Sequence, residues 1–160
     1  MTDGEINRVL TPLRLIIAAM AIGVITFGGI AIFLVHGGAV ETDSQLVPVL
    51  LPVLGVIGIG AIVAYLGFSR IMRARLRHAS EDASSDEIDT GRCAGAFNTL
   101  TIAGGALAEG ASFFGIVAYL LTGNGLTLIV PGLGLLAMAV LFPSRERFQR
   151  FVADITQRRA

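Results

Sequence analysis

One hundred and sixty residues, 54% of them apolar, carry 20 glycines, only 15% charged side chains and a mean hydropathy of +0.76. An average soluble domain is about 45–50% apolar with glycine included and about 25% charged, and a chain this small buries too little surface to hide the surplus from water; disorder, collagen, a coiled coil and a disulfide scaffold are excluded by the same numbers. Net charge is zero, with 12 basic against 12 acidic residues, so the total says nothing about partners and the information lies in where the charges fall; no nucleic-acid partner is expected.

The chain opens with Arg8 and Arg14 ahead of an uncharged run of 21 residues at 15–35. Thr11-Pro12 suits a helix start there, an N-cap type followed by proline at the first helical position. A cleaved signal peptide is the alternative, with small residues Gly37, Gly38 and Ala39 following, but the run exceeds the usual apolar core of about 7–15 residues. The stretch 36–46 carries Glu41 and Asp43 and no Arg. A second uncharged run of 26 residues covers 44–69, with Pro48 and Pro52 in its first turns. Arg70, Arg73, Arg75, Arg77 and Arg92 lie in the connection 69–96, whose acidic part, 79–90, reads as a solvated linker. Residues 110–144 are uncharged for 35 positions, too long for one span. Thr122-Gly123-Asn124-Gly125 supplies turn chemistry inside that run.

A spanning helix needs roughly 20 apolar residues, which gives four spans at about 15–35, 47–68, 97–121 and 126–142. Only helices and closed barrels satisfy their backbone in hydrocarbon, and the absence of strict alternation selects helices. Pro131-Gly132 is expected to bend the fourth about a third of the way in. After Pro143, Ser144 can cap a helix over 144–157. Phe148, Phe151, Val152 and Ile155 recur on one face of it at i, i+3, i+4, i+7. That face is expected to lie on the inner leaflet or the bundle edge, with Arg145, Arg147, Arg150 and Arg158 reaching lipid headgroups. The expected fold is therefore an all-α membrane domain, 1–160, of four transmembrane helices and a short interfacial tail helix. All twelve basic residues are Arg, and all fall in the N-terminal segment, the 69–96 connection or the tail. The positive-inside rule makes those three parts cytoplasmic, in a multi-pass protein of a bacterial inner membrane.

Chemistry-bearing residues are sparse. Cys93 is alone, His36 and His78 fall on opposite sides, and no zinc-type ligand cluster exists. No cofactor, metal or catalytic set is expected, and the chain does not read as an enzyme. Val56, Gly60 and Ala64 follow an i, i+4 ridge on the second helix, which also holds Gly55 among its small residues, and Gly105 lies on the third. Such residues allow close approach of helices in lipid, within one chain or between copies. Glu109 is the exception to an apolar third helix. It stands thirteenth in the 25-residue span 97–121, where a charge costs roughly 2.5–3.5 kcal/mol. Ser112 offers a hydroxyl one turn away and Thr26 is the polar candidate in the first helix. The expected position of Glu109 is the junction of the second and third helices. It would serve there as a hydrogen-bonding pin or as an ion- or proton-binding group.

Two resemblances follow from quoted residues. The run Thr99–Ala118, with Ala106-Leu107-Ala108-Glu109 followed by small residues and Phe114-Gly115-Ile116, resembles the carboxylate helix of the proteolipid subunit of rotary ATP synthases. The glycine-rich second helix resembles the helix that precedes it. That resemblance implies an ion-binding role for Glu109. The whole chain is similar to a widespread group of small bacterial four-helix membrane proteins, through Leu13–Ala18, Ala106–Gly110, Val117–Asn124 and Pro143–Arg147, a group that brings no activity with it. The expectation is a non-enzymatic membrane protein, structural or accessory to a larger complex, with lipid, further copies of itself or other membrane proteins as partners. The alternative is a proteolipid-like ion handler.

Overall fold

The computed structural model describes residues 3–81 and 90–156, and every regular element among them is helical. Five α-helices follow in order: α1 Asp3–His36, α2 Val47–Glu81, α3 Thr90–Thr122, α4 Ile129–Leu141 and α5 Arg145–Thr156. Short 3-10 turns, Ser44–Leu46 and Gly125–Leu128, lead into α2 and α4. Three helices are long and apolar enough to cross a membrane. A fourth candidate is the broken pair Gly125–Leu141 and Arg145–Asp154, bent by 72°.

The long helices outrun the apolar runs that announce them. α1, α2 and α3 hold 34, 35 and 33 residues, roughly 50 Å each at 1.5 Å per residue, against a hydrocarbon core of about 30 Å. Helix one therefore does not start at Thr11-Pro12: Pro12 is inside it. It lies on the exposed face, where water can reach the Arg8 carbonyl that proline leaves without a helical donor. The 69–96 connection is likewise mostly helix, because Arg, Ala, Leu and Met between 70 and 76 are good helix formers whatever their polarity. Most of the acidic stretch 79–90, the side chains of Arg77, His78 and Ile155, and Arg158 lie outside the described residues. Pro131 sits in the first turn of α4, where no helical hydrogen bond is lost, rather than a third of the way along a continuous span.

α3 is the hub. Half of its most apolar window is buried, against 17% for α1 and 6% for α2, and α1, α2 and α4 all pack on it. α1 does so through a seven-residue repeat: Leu10, Ile17, Val24 and Ala31 are buried, and Met20 and Phe27 pack beside them. Ile6 and Leu13 extend the second row of that repeat. A strict heptad stripe is the seam of left-handed helix packing, and here the two helices run nearly parallel, Ile17 meeting Gly105 and Gly28 meeting Ile116 further along both. α4 packs against α3 so closely that Gly134 faces Ser112 and the Ala108 carbonyl.

Both helix ends at the far side close by glycine. α1 ends in a Schellman motif: Gly38 has φ +67°, Ala39 N donates to Leu34 O at 3.0 Å and Gly38 N to Val35 O at 3.2 Å. α3 ends at Gly123, φ +63°, whose N–H reaches Tyr119 O at 2.8 Å. The Asp43 N–H then caps α3 through Leu121 O at 2.8 Å, stitching the 37–46 connection to the turn before α4.

Candidate functional site

Glu109 is half-buried near the middle of α3. Its carboxyl faces α1, not α2. A Cβ built on Gly23 would lie 3.8 Å from Glu109 Oε1 and 4.0 Å from the Phe113 ring. Phe113 in turn meets Phe27 of α1 edge-on, centroids 5.4 Å apart. The wall of the site is thus a glycine on one helix and an aromatic pair beside it. The expected placement at the junction of the second and third helices is corrected by this geometry. The reason lies in α2. Tyr65 lies over Gly104, its ring 2.7 Å from where a Cβ would be, and only a glycine makes room for it. Seating Tyr65 there turns the ridge of Val56, Gly60 and Ala64 outward, with Val56 72% exposed. Gly55 and Gly60 meet nothing within 4 Å.

The other site residues separate. Ser112 is fully buried and its hydroxyl donates to Ala108 O at 2.7 Å, on the face that meets α4. Thr26 is exposed. Gly105 lies against Ile17 and Met20 of α1, at 2.6 and 3.1 Å from a built Cβ. Among the described residues Glu109 has no hydrogen bond and no ion pair, and no three His, Cys, Asp or Glu side chains converge as metal ligands. The chemistry available at this position is that of one carboxyl: a proton, a single cation contact, or a hydrogen bond to a group brought from outside the bundle.

A second polar cluster lies at the end where α1 begins and α4 ends. Phe97 of α3 meets Phe148 edge-on, centroids 5.3 Å apart, and Phe151 at a tilt, centroids 5.6 Å apart. Phe148 is 2% exposed among Ile6, Leu10, Leu13 and Ala94. The apolar face of α5 therefore docks on the bundle. Arg145 Nε donates to Asn7 Oδ1 at 3.1 Å, Arg147 Nη1 to Val140 O at 2.7 Å, and Arg150 Nη2 to Glu146 at 3.1 Å. Arg14 Nε donates to the carbonyl of buried Pro143 at 3.0 Å, so α1 holds the corner between α4 and α5. Arg73 of α2 approaches Asp154 of α5 at 4.0 Å. Sequence reading missed Arg14, Tyr65 and Arg73. The usable signal was their place within a turn or so of a span boundary, where an amphipathic side chain joins core to surface.

Set against known protein families, curated proteins and solved structures, the chain matches none of them.

Proposed function

We propose that the chain is a non-enzymatic integral protein of a bacterial inner membrane, structural or accessory to a larger membrane complex. Both termini would face the cytoplasm. The observation that carries this reading is the distribution of burial. α2 keeps only 6% of its apolar window inside the bundle and turns Val49, Val56, Ile59, Ile62 and Val63 outward, which only lipid or another membrane protein can cover. The orientation is supported by the Arg145–Asn7 and Arg14–Pro143 contacts, which bring the two ends of the described chain to one end of the bundle. The arginines gather at that end, as the positive-inside rule requires. In this reading Glu109, seated beside Gly23 at the α1–α3 contact, pins a partner to the bundle by accepting a hydrogen bond from it. Affinity purification from native membranes in mild detergent tests the accessory role. A stoichiometric membrane partner is the expected result, and recovery of the chain alone would contradict it.

A second reading, proteolipid-like binding of a proton or ion at Glu109, is favoured by one observation. The carboxyl is half-buried in mid-helix with no hydrogen bond or ion pair among the described residues, and an acid in such a place is by default a functional group. A carbodiimide reagent separates the two. Modification of Glu109 that sodium or low pH modulates supports ion handling, and an inert carboxyl supports the pin.

A further inference from the structure

Two cavities on one side of the bundle share Tyr65. The first is a half-open slot of about 410 Å³ between α2, α3 and α4. Gly58 and Ala61 of α2 and Gly104 and Ala108 of α3 keep it open, and leucines of α4 close its far wall. The second, of about 320 Å³, opens toward α5 and is lined by Arg73, Arg147, Arg150 and Asp154 beside Phe97 and Phe151. Three guanidinium groups less one carboxylate leave a formal charge of +2 on its lining, and +1 once Glu146, paired with Arg150 beside it, is counted. An apolar slot at the depth of the spans thus adjoins a basic chamber at the arginine-rich end, with the amphipathic side chain of Tyr65 lining both.

We infer that the paired cavities hold one anionic phospholipid, an acyl chain in the slot and the phosphate between Arg73, Arg147 and Arg150. Charge complementarity commits the chamber to an anion, and basic pockets between helices on the cytoplasmic side are where acidic headgroups are held. Donors remain for it. Arg147 gives Nη1 to Val140 O and Arg150 gives Nη2 to Glu146, but a guanidinium carries five N–H groups in a fork that fits phosphate oxygens. The slot commits the anion to one that carries a hydrocarbon tail. A soluble phosphate would leave it empty. The inference rests on the reading of the chain as membrane-integral.

Native mass spectrometry of the protein in mild detergent tests it, with phosphatidylglycerol and phosphatidylcholine of matched chains as probes. The expected result is one retained phosphatidylglycerol, held at least about fivefold more tightly than phosphatidylcholine, the factor that a single basic side chain near an anionic lipid supplies. The double variant Arg73→Gln, Arg150→Gln should bring the two lipids level. Ala61→Leu, which fills the slot, should weaken both. Equal retention of the two lipids by the unaltered protein overturns the inference even where the double variant fails to fold. So does displacement of phosphatidylglycerol by inorganic phosphate, the mark of a soluble-anion site. A dimer that excludes lipid overturns it in favour of a second copy. Failure of selectivity alone leaves the membrane reading standing. A chain that stays monodisperse without detergent and binds neither lipid removes both.

Discussion

A single methyl group distinguishes the glycines of this chain. At Gly134 a Cβ would collide with the Ser112 hydroxyl and stand 2.9 Å from the Ala108 carbonyl oxygen. Backbone cannot step aside as a side chain can. Gly134→Ala should therefore force α4 off α3 and cost about 1–3 kcal/mol, read as a lower midpoint of denaturation in detergent. Gly132, two residues earlier, meets nothing within 4 Å. Gly132→Ala should be neutral or stabilising by up to about 1 kcal/mol. Equal losses at both would contradict the packing described. Glu109→Gln keeps size and hydrogen-bonding capacity, so under the pin reading assembly with a partner should survive, whereas Glu109→Leu should lose it. Loss with both would point to the titratable proton itself. Glu109 was conspicuous in the sequence as the one charge between Arg92 and Arg145. Its neighbour was not. Gly104, Gly105, Ala108, Ala111 and Gly115 put small residues on several faces of α3, so smallness could not choose which helix sits beside the acid. Tyr65 chose, and a tyrosine in an apolar run carries no label saying which glycine it will cover.

At the scale of helices, hydropathy located the long apolar helices and misjudged their ends. It measures residence in hydrocarbon, while a helix continues as long as its residues tolerate helical geometry. Arg70 to Leu76 do so outside the apolar run, and so do the residues before Leu15. The face of α5 was legible from the spacing of Phe148, Phe151 and Val152. What it faces was not, because lipid and a protein end demand the same pattern. The structure gives Phe148 a pocket on Phe97 and Leu10. Phe148→Asp should accordingly release α5, exposing Arg147 and Arg150 to trypsin, while the helical content of the spans stays unchanged in circular dichroism. Phe151→Asp, at a half-buried position, should release it less. Equal protection of both variants and the unaltered chain would mean that the corner at Pro143, held by Arg14, suffices without the aromatic contact.

For the molecule as a whole, the burial pattern separates a well-packed α1–α3–α4 unit from a peripheral α2. That organisation suits a protein whose α2 face meets lipid or a partner, and it makes the direction of the chain through the bilayer the claim on which the rest depends. Composition alone led to the expectation of a membrane protein, with which the long apolar helices are consistent; the arginine asymmetry supplies the proposed orientation. The contribution of α4 was less legible, since its 13 α-helical residues reach the far end only together with the turn Gly125–Leu128. Cysteine accessibility tests the claim most directly. Cys93 is buried, and Cys93→Ala supplies the background for single cysteines at Thr42, Leu126 and Gln149, all but Leu126 in connections or the tail and all three exposed. With a membrane-impermeant maleimide, the cysteines at positions 42 and 126 should react in intact cells. The one at position 149 should react only in inverted membrane vesicles. Labelling of positions 126 and 149 from the same side would contradict the account, because α4 would then not cross the membrane.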